Sequence, residues 1–203
     1  MYTPTHFAMD ELADQHALMD DCDFGVLVSQ SPDGLFATHI PMMLVREEGA
    51  FGTLYAHLAR SNPHTKLFGS EALVVFSGAH AYVSPSWYSD RSVNVPTWNY
   101  SAVHCYGVPR VVAGETLPHL RAMAARYESA RINGWSPDEL KPEIRESLPR
   151  GIVAFALEIT RIEGKAKLSQ NKPRVERERV IEGLKADGEH RLAARMVQEL
   201  EKV

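Results

Sequence analysis

The tetrapeptide Ser31-Pro32-Asp33-Gly34 lies between two apolar runs, Phe24 to Ser29 and Leu35 to Val45, and it restricts the fold more than any other feature. Proline presets its own φ, aspartate bonds back to the chain and glycine accepts positive φ, so the two runs must return on each other as an antiparallel hairpin. Further strands are predicted at Gly49 to Tyr55, Ala72 to Val83, Tyr100 to Ala113 and Gly151 to Glu163. Gly78 marks a bulge or a close backbone approach, and Pro109 confines its segment to an edge or a bulge. Helices are expected at Met9 to Asp20 and Leu117 to Ile132, from the Asn62-Pro63 start to Phe68, and from the capping box at Ser136-Pro137-Asp138-Glu139 to about Leu148. From Pro173 onward the chain reads as two helices broken near Asp187-Gly188. Six or more strands with few crossovers argue for an antiparallel β-barrel with helical decoration, not a doubly wound sheet.

At 203 residues, with 44% hydrophobic and 24% charged residues, the chain suits one domain with a helical appendage, divided at residues 1–172 and 173–203. Residues 1–160 hold eleven basic against eighteen acidic residues, and residues 161–203 hold eleven against eight. The net charge of -4 does not favour general nucleic-acid binding. Cys22 and Cys105 lack CxxC spacing and read as reduced structural thiols. The start, MYTPTHFAMDEL, lacks the layout of a secretory leader, and no stretch has the length of a membrane span, so the expectation is a cytoplasmic protein.

The block from His57 to Gly107 concentrates groups that bind ligands. Arg60-Ser61-Asn62-Pro63 places a basic residue, a hydroxyl and an N-cap at a helix start, which suits a phosphate, and Lys66 adds a donor one turn on. A capped surface helix beside a solvated arginine has the same signature. Trp87, Tyr88, Trp98, Asn99 and Tyr100 could line a slot for a flat ring, or bury area at a barrel end. In RIEGKAKLSQN, a strand end delivers Lys165, Lys167, Ser169, Gln170 and Asn171, either toward a polar ligand edge or as an ordinary polar strand exit. Nine histidines form no metal-ligand spacing, so no metal is expected, and GxSxG, Walker A and GxGxxG are all missing.

THIPMML at Thr38–Leu44, LYAHLARSNPH at Leu54–His64, AYVSPSWY at Ala81–Tyr88, VPTWNYSAVHCYG at Val95–Gly107 and GKAKLSQNK at Gly164–Lys172 resemble the PaiB-type proteins. These are usually described as FMN-binding negative transcriptional regulators, and the resemblance runs through about Leu184. It implies an antiparallel FMN-binding split β-barrel, mainly β with peripheral helices and a C-terminal helical pair. It also implies a homodimer with FMN where two subunits meet. By the same resemblance the phosphate falls to His57, Arg60, Ser61, Asn62 and Lys66, and the strand at Thr38, His39, Ile40 and Pro41 runs beside the flavin ring. Trp87, Trp98 and the stretch containing Lys167, Ser169 and Gln170 would close the groove.

Two functions follow from the resemblance. One is a flavin- or redox-responsive regulator; the other is a flavin-dependent oxidoreductase acting on a small molecule without direct DNA contact. No side chain stands out as a general acid or nucleophile, so no catalytic residue is expected by name. DNA contact would fall to the helices at Val175–Leu184 and Glu189–Leu200, where Arg191 and Arg195 lie one turn apart. Interspersed glutamates and the Leu192, Met196, Leu200 stripe give that pair the pattern of a packing element, so its charges do not support DNA binding.

Overall fold

The computed structural model describes residues 1–202. In chain order its main elements are α1 (Leu12–Asp21), β1 (Phe24–Ser31), β2 (Gly34–Pro41), β3 (Met43–Val45), β4 (Thr53–Ala59), β5 (Ala72–Val83), β6 (Thr97–Gly107), β7 (Pro109–Val111), α2 (Thr116–Glu128), α3 (Pro142–Gly151), β8 (Ile152–Glu158), β9 (Arg161–Lys167), α4 (Arg174–Ala186) and α5 (His190–Glu201). They group into two compact units. One comprises Cys22–Phe76 and Cys105–Ile162; the other comprises Met1–Asp21, Ser77–His104 and Glu163–Val203.

In the first unit the expected hairpin forms, with β1 and β2 antiparallel and Ser31 opposite Gly34. The Ser31 hydroxyl donates to the Gly34 carbonyl at 2.7 Å and accepts from the Asp33 amide at 3.2 Å, while Gly34 takes φ 114°. The first half of β5 pairs with β1 from Val26↔Val75 to Ser29↔Ala72. The expected strand from Leu35 to Val45 is broken at Met42. Pro41 cannot extend the ladder as a donor, Met42 is buried with its amide on the Asp23 carbonyl at 2.8 Å, and β3 pairs with β4 instead. β4 starts later than expected because Gly49 and Gly52 sit at φ 81° and 89° in the preceding turn.

The second sheet of this unit has the order β3-β4-β8-β7, all antiparallel. Val153 to Leu157 are consecutive buried residues, since β8 is central and both α2 and α3 pack against it. Phe155 and Leu157 are fully buried, each stabilising the fold by about 2–3 kcal/mol. Pro109 opens β7, which is an edge strand, as its chemistry requires. The Ser136 capping box forms, but it caps only the 3-10 turn Pro137–Glu139. Pro142 disfavours helical backbone at Lys141, so the helix restarts as α3.

In the second unit the remainder of β5 is followed across the sheet by β6 and then β9. A Cβ on Gly78 would lie 2.2 Å from the Ser101 hydroxyl, which explains the glycine as a close approach. The predicted strand from Gly151 to Glu163 is two strands, β8 and β9, because the chain turns at Ile159-Thr160. Met9, expected in the first helix, lies outside it with its amide on the Gly164 carbonyl at 3.1 Å. The C-terminal helical pair forms as expected: Val180, Ile181 and Leu184 of α4 and Leu192, Met196 and Leu200 of α5 are buried, and Gly188 at φ 82° makes the break. This is the expected mainly β, antiparallel split-barrel class with peripheral helices. No helix among the described residues is long and apolar enough to cross a membrane.

Candidate functional site

The sequence-derived site residues sort into two groups, one in each unit. Thr38, His39, Ile40, Pro41, His57, Arg60, Ser61, Asn62 and Lys66 belong to the first unit; Trp87, Trp98, Lys167, Ser169 and Gln170 belong to the second.

In the first group, β2 pairs among the described residues only with β1 and leaves its other edge open. Along it Thr38 is half-buried, His39 is exposed beside Phe24, Ile40 is buried and Pro41 ends the strand. The turn after β4 is joined to this edge through His64, a histidine that the sequence reads as hydrogen-bonded without placing it in the site. His64 is fully buried; its Nδ1 lies 2.9 Å from the Thr38 hydroxyl and its Nε2 lies 2.9 Å from the Ser29 hydroxyl. Burial holds its pKa below the ordinary histidine value, so the ring is neutral and bridges two hydroxyls.

The helix expected after Asn62 is only a 3-10 turn, Pro63–Leu67. Asn62 caps it by accepting from the His64 amide at 2.9 Å, and the amides of Asn62 and Thr65 are paired with backbone carbonyls. Side chains therefore provide most of the donors of this turn. Arg60 is partly committed: Nε donates to the Arg150 carbonyl at 2.7 Å, and Nη2 donates to the Pro149 and Ile152 carbonyls at 3.1 and 2.8 Å. That fork closes the C-terminus of α3, whose last carbonyls lack helical partners. Arg60 Nη1, the Ser61 hydroxyl, Asn62 Nδ2 and Lys66 Nζ make no hydrogen bond among the described residues, and Ser61 and Lys66 are exposed.

His57, on β4, turns toward α2. Its Nδ1 lies 3.0 Å from Nε2 of the buried His119, and the opposite nitrogen of His119 is buried without a partner. Burial, reinforced by His57, lowers the His119 pKa to about 4, and burial lowers that of His57. Both rings are neutral near pH 7, and the pair joins a strand to a helix.

In the second group, the half-buried Trp87 lies on α4 so closely that a Cβ on Gly183 would meet its ring at 2.3 Å. Trp98 is 54% exposed and lies beside Tyr82 and His80. Lys167 Nζ donates to the Trp98 carbonyl at 2.7 Å and to the Thr97 hydroxyl. Burial, with the charge of Lys165, lowers its pKa. Gln170 accepts from the Leu168 amide at 2.7 Å and donates to the Ala166 carbonyl at 2.6 Å, so both ends of its amide build the exit of β9. Ser169, at φ 64°, is the described non-glycine residue in left-handed backbone, and its buried hydroxyl accepts from Asn99 Nδ2 at 2.9 Å.

Against known families, residues 1–161 match the model described as "Putative FMN-binding domain". The chain belongs to this FMN-binding family. It is 35% identical over 187 residues to the protease synthase and sporulation protein PAI 2 of Bacillus subtilis, an alignment covering 91% of this chain and 89% of that protein. Family membership therefore rests on nearly the whole length, as the PaiB-type motifs implied. Among solved structures, the flavocytochrome Anf3 from Azotobacter vinelandii matches with TM-score 0.60 at 14% identity, over 79% of this chain and 69% of that one. An FAD and heme binding protein from Mycobacterium smegmatis matches with TM-score 0.58 at 18% identity, over 79% and 73%. At these identities the structural matches establish the fold of the FMN-binding family member, and its place in a flavin-binding family comes from the sequence.

Proposed function

We propose that this protein binds FMN and acts as a flavin-responsive regulator, as a homodimer with the flavin where two copies meet. The observation that carries the flavin reading is the bond between Thr38 and His64, which fixes the open edge of β2 beside the turn from Arg60 to Lys66. Open-edge amides and carbonyls suit the pyrimidine rim of a flavin. Arg60 Nη1, the Ser61 hydroxyl, Asn62 Nδ2 and Lys66 Nζ suit a phosphate. When bound, the flavin would supply one- and two-electron redox chemistry, and the chain's own part is to hold it and tune it.

Titration of the flavin-free protein with FMN and with riboflavin, followed by visible absorbance after gel filtration, tests this reading. FMN should be retained and riboflavin retained more weakly, with Ser61→Ala and Lys66→Ala each weakening FMN uptake several-fold. A folded preparation that retains neither would overturn it.

The regulatory role is read as indirect. α5 turns Leu192, Met196 and Leu200 into the core, and Arg195 is paired with Glu199, so little of its basic face is left for phosphates. A gel-shift series across salt concentrations that yields a tight complex with a steep salt slope would sink this part. The second reading, a flavin-dependent oxidoreductase, predicts that the flavin-loaded protein oxidises NAD(P)H with turnover.

A further inference from the structure

A cavity of about 240 Å³ opens within the second unit, and its wall carries two lysines and no carboxylate. Lys167 and Lys172 line it with Tyr88, Asn99, Ser169 and Asn171. Two of the three N–H bonds of Lys167 are used by Thr97 and Trp98. Lys172 spends one on Asn94 Oδ1 at 2.6 Å and lies 5.3 Å from the centre of the Tyr88 ring. Three ammonium donors are therefore uncommitted at one cavity, and both lysines are half-buried. Glu176, whose pKa Lys172 helps to lower, already accepts from both the amide and the hydroxyl of Ser89.

The wall is also irregular at two residues that are bonded to each other. Asn99 is 1% exposed and its Oδ1, which accepts no hydrogen bond among the described residues, can take the P–OH of a hydrogen phosphate. Ser169 is held at φ 64°, a conformation that costs a serine energy and recurs at ligand sites. The volume is below the roughly 300–1,000 Å³ of sites for drug-sized ligands, so the occupant is compact.

We propose that this cavity is an oxyanion site for a compact phosphate-bearing group, gripped by Lys167 and Lys172. The inference goes beyond the flavin reading and does not rest on it. The group can belong to a separate small molecule or to the phosphate end of a flavin, and the two sources are separable by experiment.

The probe is inorganic phosphate, titrated calorimetrically into flavin-free full-length protein whose folding is verified by circular dichroism. Saturable binding should weaken about tenfold in Lys172→Gln and in Lys167→Gln and survive in Lys172→Arg, because the charge and donors matter more than the stem. Repeating the titration after loading FMN or riboflavin identifies the source. Loss of phosphate binding with FMN alone assigns the site to the flavin's own phosphate, and binding unaffected by either assigns it to a separate anion. Absence of saturable phosphate binding in the folded protein, or affinity unchanged from the parent protein in both lysine-to-glutamine variants, overturns the proposal.

Discussion

The guanidinium of Arg60 donates to the carbonyl of Arg150 at 2.7 Å, joining the turn after β4 to the end of a helix ninety positions away in sequence. The residue that sequence places at a phosphate is thus also a structural clamp on α3, with its Nη1 left over. The two roles have separable signatures.

Arg60→Lys keeps the charge and loses the fork. It should lower unfolding stability by about 1 kcal/mol through the lost α3 carbonyl bonds, with Arg60→Ala at the same level or slightly worse. FMN uptake should fall in Arg60→Ala and be largely retained in Arg60→Lys. Urea unfolding and flavin titration on the same samples check both; equal stability of all three proteins would remove the clamp.

Acid should loosen α2. The His119 pKa is about 4 in the folded chain against an ordinary 6.5, so between those values the unfolded chain holds a proton that the folded one does not. Stability is then fully present above about pH 6.5 and declines as pH falls toward 4, by up to about 1.4 kcal/mol per pH unit, with His57 adding in the same direction. Unfolding midpoints measured from pH 7 to pH 4 should show this slope, and His119→Phe should flatten it.

Gly183→Ala pits helix propensity against packing. The methyl would favour the helix by up to about 1 kcal/mol, yet it would lie 2.3 Å from the Trp87 ring. Overpacking costs about 1–3 kcal/mol, so the clash wins and the indole moves out. The expected result is a lower melting temperature with red-shifted tryptophan emission; an unchanged spectrum would contradict the contact.

Arg177, on α4, is 6% exposed, and its Nε and Nη2 have no hydrogen-bond partner. Burial lowers its pKa, with Glu199 opposing that shift, so the charge is retained at a cost. Arg177→Met should keep the packing and remove the cost, leaving stability equal or up to about 1 kcal/mol higher in chemical unfolding. A large loss would mean that the guanidinium has a role its bonding does not reveal.

The legible parts of this molecule were those governed by local chemistry. Ser31 to Gly34 specifies the hairpin, Pro109 specifies an edge and Gly188 specifies the C-terminal break, because each acts through its own backbone. Met42 was not legible: the apolar run from Leu35 to Val45 has one uniform pattern, and only the pairing of β3 with β4 reveals that the strand changes sheets. The same holds at the candidate site. Asn62 announces its cap in sequence, whereas the bond from Thr38 to His64 spans 26 positions, and Lys172 meets Asn94 across 78. Of the histidines, His119 lies in a helix with a weak apolar stripe, and no periodicity singles it out as the partner of His57.

The pairing of β4 with β8 sets Thr53 against Glu158 and Ala59 against Ile152. A ribosome making this chain therefore holds β4 with only β3 beside it until roughly a hundred further residues have emerged, several seconds of synthesis at the usual pace. During that interval Leu54, Ala56 and Leu58, which end up almost wholly sheltered, lack the strand that later covers them. Completion of the fold is thus gated by translation through α3, and anything that stalls elongation between α2 and β8 would prolong the exposure of an aggregation-prone strand.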